Sequence, residues 1–92
     1  MEEQYIKKEW SKEQNNLTMD VLDRIDIVAF SFQLGGVNKG CMMNHLDGKT
    51  GYITLNDAVS ENWRIFDHNS DELLGSFDSI EEVITGGWKV ST

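Results

Sequence analysis

A chain of 92 residues with one cysteine, 16 acidic and 8 basic side chains excludes several protein classes before any element is read. It makes one domain with a single modest core, too small for a large enclosed active site, and one cysteine permits no intramolecular disulfide. A net charge of −8 repels nucleic acid phosphates and anionic membranes, which argues against direct binding to either and leaves a basic protein surface as the suitable partner. The 39% apolar and 10% aromatic shares are enough for a core and argue against disorder. No run of about 18 apolar residues is present to span a membrane. The segment MEEQYIKKEW lacks the apolar region of a secretory signal, so the expected location is the cytoplasm.

Residues 2–14 favour helix by propensity, with Ile6, Trp10 and Leu17 forming a thin apolar seam. Asn15 and Asn16 interrupt it, and residues 1–16 are expected to fray. The strongest pattern follows at residues 18–34. Leu22, Ile25, Ala29 and Phe32 recur at helical spacing, with Val21 and Val28 beside them. Thr18 can cap the start, and Gly35 with Gly36 can end the helix in the left-handed conformation. Residues 27–34 also alternate as a strand would, and the longer helical period is preferred. This stripe can pack on a sheet or on a second copy of the chain, so a homodimer stays open.

Residues 35–51 are rich in Gly, Asn and Lys and read as a loop around CMM, with at most one helical turn. Three ligand motifs suggest themselves between here and residue 78, and each lacks a part. In LDGKTGYITLND, Gly51, Ile53 and Asp57 match positions 6, 8 and 12 of a calcium loop, but positions 1, 3 and 5 are Leu46, Gly48 and Thr50. In DHNSDELLGSFD, Asp67, Asn69, Asp71 and Asp78 fit ligand positions, but Glu72 stands where the loop needs glycine. GKT at 48–50 ends like a phosphate loop, but the earlier glycine is Met43. Cys41 and His45 would share a face if they lay on a helix, and His68 could join them. Zinc wants three or four ligands, and a lone Cys beside Met42 and Met43 reads more simply as a buried small hydrophobe. No metal, cofactor or catalytic set is expected, and the chain is read as a non-enzyme.

Residues 52–55, 63–66 and 73–77 are β-prone, and DHNSDE between the last two is a hairpin turn. Asp78 with Glu81, or Ser79 with Glu82, can box the start of a short helix, IEEVIT, stopped by Gly86 and Gly87. Trp88 and Val90 add a last strand, and Trp63 and Trp88 read as core. The expected fold class is α+β: N-terminal helices, then a small antiparallel sheet of three to four strands with a short C-terminal helix.

The charge runs are the best functional clue. Residues 67–82 hold six acids (Asp67, Asp71, Glu72, Asp78, Glu81, Glu82) and no Lys or Arg. Asp20, Asp23 and Asp26 form a second acidic ridge. The plain account is two solvated faces, with acids at helix starts complementing the dipole. The functional account is a surface that docks on a basic, nucleic-acid-binding groove, steered by charge and weakened by salt.

The segment DAVSENWRIF, residues 57–66, resembles the C-terminal segment of a family of small phage proteins. The matching positions are Asp57, Ala58, Val59, Ser60, Glu61, Asn62, Trp63 and Ile65. That family looks like anti-defence proteins, some of them sponges for cyclic nucleotide signals of the Thoeris system and one an anti-CRISPR. The resemblance implies a phage or prophage inhibitor of a host defence or nucleic-acid-handling protein. The alternatives are a binder of a small nucleotide signal near residues 35–51, with Lys39 or Lys49 on the anion, and an immunity or structural partner protein.

Overall fold

The computed structural model of the chain describes residues 9–31 and 39–91. The first helix, α1 (Lys12–Asp23), begins at a capping box: the Ser11 hydroxyl accepts from the Gln14 N–H while the Gln14 side chain accepts from the Ser11 N–H. Helix formation therefore starts before Asn15 and Asn16 and runs through them, instead of stopping there. Asn costs a helix interior only about half a kcal/mol, less than this cap contributes. Thr18 is consequently mid-helix and buried, not a cap. Its hydroxyl donates to the Gln14 carbonyl (2.9 Å) and accepts from the Val90 N–H (3.0 Å).

The long helix expected over 18–34 is broken at Arg24 to Asp26. The Asp26 N–H reaches back to the Val21 carbonyl, and Ile25 takes φ +50°. This is a helix-ending turn of the Schellman kind, usually built on glycine. The Asp26 carboxylate then accepts from the N–H groups of Val28 and Ala29 and starts α2 (Ile27–Ser31). Residues 27–31 are thus helical. Ile6, Phe32, Gly35 and Gly36 lie outside the described residues.

Five strands follow: β1 (Cys41–His45), β2 (Thr50–Ile53), β3 (Trp63–Asp67), β4 (Leu73–Phe77) and β5 (Trp88–Val90). They form one antiparallel sheet in the order β4-β3-β2-β1-β5. A further helix, α3 (Leu55–Val59), sits between β2 and β3, and α4 (Ile80–Thr85) between β4 and β5. The chain is α+β, with one strand more than the sequence led us to expect. The extra strand is β1, read above as a loop; its alternation is supplied by neighbours on both sides, Met43 pairing Gly51 and Val90. Leu55 leaves the expected first β-prone segment, 52–55, because Thr54 caps α3, its hydroxyl accepting from the Asp57 N–H (3.0 Å). Gly40 is obligatory: at φ +136° a β-carbon would lie 2.1 Å from the Ile53 carbonyl oxygen.

The core lies between the sheet and the helices. Cys41, Met43, Ile53, Trp63, Ile65, Trp88 and Val90 point into it and meet Val21, Leu22, Phe30, Ala58 and Val83. Both tryptophans are core, as read from the sequence. The helical stripe splits: Val21, Leu22 and Phe30 are buried in the chain's own core, while Ile27 and Val28 are 68% and 78% exposed. Among the described residues, the stripe is therefore not one continuous face. No helix among the described residues is long and apolar enough to cross a membrane.

Candidate functional site

The nine acids of the sequence reading fall into separate groups. At the β3–β4 turn, Asp67 is used by the fold. Its carboxylate accepts from the N–H groups of Ser70 (2.8 Å) and Asn69 (2.9 Å), which hold it below the usual carboxylate range. Asp71 is held down likewise, first by Lys39 (2.9 Å) and then by the Tyr52 hydroxyl (2.8 Å). Glu72 stays exposed beside them. Around the α1–α2 break, Arg24 bridges Asp20 (3.0 Å) and Asp26 (3.1 Å), so two acids of that ridge are already paired.

The third group shares a groove. Asp23, Asp78 and Glu81 line one groove, joined by Glu61, which the sequence reading placed in the phage-like segment and not among the docking acids. The groove has a volume of about 310 Å³. Its apolar lining comes from Met19, Leu22, Ile25, Ala58, Val59, Trp63 and Ile80. No Lys, Arg or His lines it. All four acids are exposed, as is Val59 (64%).

Local structure explains each position. Asp23 is the last residue of α1. Glu61 follows α3 in a second Schellman turn, where the Asn62 N–H meets the Asp57 carbonyl (2.7 Å) and the Glu61 N–H the Ala58 carbonyl (3.0 Å). Glu61 takes the left-handed residue of that turn, φ +57°. Asp78 and Glu81 flank Ser79, the cap of α4. The Ser79 hydroxyl accepts from the Glu82 N–H, and the Glu82 carboxylate accepts from the Asp78 N–H (3.0 Å). Half of the expected box forms: Ser79 caps the Glu82 N–H, while the Glu82 carboxylate bonds Asp78 and not the Ser79 N–H. Glu82 is thereby a positioning residue outside the groove.

The remaining candidates are spent. Cys41 and His45 lie on a strand, about 13 Å apart at strand rise, so the shared helix face does not exist. Burial, with Asp26 adding to it, pushes the Cys41 thiol up to about 12. His45 Nε2 sits 2.8 Å from the Gly86 carbonyl and His45 Nδ1 3.1 Å from the Asp47 N–H. Lys39 donates to the His68 carbonyl and Asp71, and Lys49 to Asp47 (2.6 Å), so both lysines of the anion-site reading are engaged. Residues 35–38 of that loop lie outside the described residues. Among the described residues, no three His, Cys, Asp or Glu side chains lie close enough to hold a metal ion. The groove acids therefore ring a rim and do not converge on a point.

Within residues 57–66, Asp57 and Arg64 form a two-pronged ion pair (2.8 and 3.1 Å), while Ala58, Trp63 and Ile65 are core. Comparison with known proteins returns no match: no family model, no curated protein and no solved structure aligns with the chain.

Proposed function

We propose that this chain is a non-enzymatic inhibitor of the phage or prophage type, which covers a basic surface of a host defence or nucleic-acid-handling protein. The observation that carries the reading is the groove, where Asp23, Glu61, Asp78 and Glu81 come from three separate stretches and no cation lines the same wall. Carboxylates spread around a rim suit a broad cationic surface, and their summed field would steer such a surface from a distance. The likeness of residues 57–66 to anti-defence proteins supplies the biological setting. The buried Cys41, kept as a thiol, supports a role without nucleophilic chemistry.

The test is tagged capture from bacterial lysate, read by mass spectrometry at low and high salt. It is run with the native chain and with D23K/E61K/D78K/E81K. The native chain should hold a basic nucleic-acid-handling protein at low salt and release it at high salt. The charge-reversed chain should hold none. Equal retention by both chains overturns the reading.

A further inference from the structure

The groove combines two chemistries. Its floor is aliphatic and aromatic (Leu22, Ile25, Ala58, Trp63, Ile80), with exposed Val59 at the edge, and its rim is carboxylate (Asp23, Glu61, Asp78, Glu81). At about 310 Å³ it is at the small end of ligand sites, which run from about 300 to 1,000 Å³. A nucleotide's phosphates are repelled by a wall of carboxylates, and a metal ion does not fit acids that fail to converge. Long cationic side chains suit both parts, because the methylene stem lies on apolar surface while the charged head reaches the rim.

Resting on the reading above, we propose that the groove seats an arginine side chain of the partner protein, carried next to an apolar residue. Arginine is preferred over lysine for three reasons. Its planar fork pairs carboxylates two bonds at a time. It is more weakly hydrated than an ammonium and so loses less on leaving water. Several acids at different points of the rim offer it more than one carboxylate. The apolar neighbour covers Val59, which is otherwise 64% exposed at the groove's edge. A second copy of this chain is a poor occupant. It carries the same net charge of −8, and its two arginines, Arg24 and Arg64, are already paired with Asp20, Asp26 and Asp57.

The experiment is an NMR titration at low salt, following the methyl groups of Ile25, Val59 and Ile80 and the indole of Trp63. The probe is the capped peptide Gly-Arg-Leu-Arg-Gly. Its controls replace arginine by citrulline, which keeps the shape and removes the charge, and by lysine. The arginine peptide should shift the groove signals, and the citrulline peptide should bind about tenfold more weakly or worse. The lysine peptide should fall between them. The variant D23N/E61Q/D78N/E81Q should lose about tenfold in affinity, and E9Q/E13Q, which removes acids elsewhere, less than about twofold. Amide dispersion in each variant's spectrum checks that it is folded. Shifts centred on the 67–72 turn, or equal binding of lysine and arginine, overturn the arginine seat and leave the acidic docking reading standing. No shift with any cationic peptide overturns the seat, and the capture experiment then decides the broader reading by itself.

Discussion

Thr18 works in two directions at once. Inside α1 its hydroxyl donates back to Gln14, and toward the sheet it accepts the outward N–H of Val90 on the edge strand. Replacing it by valine keeps the shape and leaves that N–H buried and unpaired. Thr18→Val should cost about 1–3 kcal/mol, read as a lower urea midpoint, and Thr18→Ser should recover most of it. A valine variant as stable as the native chain would mean that Val90 finds another acceptor. Glu61 presents the opposite case, a residue that the fold would rather replace. A side chain at φ +57° costs roughly 1–2 kcal/mol, which glycine avoids while losing more chain entropy. Glu61→Gly should therefore raise stability by up to about 1 kcal/mol and weaken binding of the arginine peptide. Strain of this sort gathers at working sites. A variant that gains stability and binds undiminished would remove Glu61 from the docking rim.

At the scale of the element, the β3–β4 turn carries a pH signature. Asp67 has its carboxylate pKa lowered by the N–H groups of Ser70 and Asn69. The stabilisation is present above the unfolded value of about 3.9 and is lost as pH falls through the lower folded value. The native chain should thus lose stability as pH drops below about 4, and Asp67→Asn should flatten that part of the profile in denaturation midpoints taken across the acid range. An unchanged slope would place the acid sensitivity elsewhere. This turn, the Ser79 cap and the stop at Gly86 and Gly87 are legible in the sequence because each depends on residues three or four apart. The break in the long helix is not. Ile25 fits the apolar period perfectly well, and its partial burial against the core, with the Asp26 N–H bond to the Val21 carbonyl, holds it in a conformation that its own branching disfavours. β1 is illegible for a related reason: CMMNH contains no β-branched residue, and its strand character comes from β2 and β5 on either side. The groove is least legible of all. Its residues are local to three stretches, near 19–25, 58–63 and 78–81, and nothing short of the fold joins them.

Over the whole molecule, the net charge of −8 is unevenly spent. Arg24, Arg64, Lys39 and Lys49 are each engaged with acids elsewhere, and the groove rim is left with one sign of charge. Like charges crowded in this way repel one another. The variant D23N/E61Q/D78N/E81Q should therefore melt at a higher temperature than the native chain in low salt, with the gap closing as salt screens the rim. Equal melting in low salt would mean the rim acids stand too far apart to feel one another. The sheet order carries a consequence of another kind. The pairing of β5 with β1, and the bond from Val90 to Thr18, tie a late stretch of the chain to two early ones. Early segments therefore wait for their partner during synthesis. The helix α1 and the β1–β2 hairpin emerge from the ribosome with their apolar faces uncovered, and they stay so until residue 90 is free. Contacts this distant in sequence also slow the search for the native state. A nascent form of this protein is thus open to chaperones and proteases for longer than its small size suggests. A chain stalled a few residues before β5 should be digested readily, and one released just beyond it should resist.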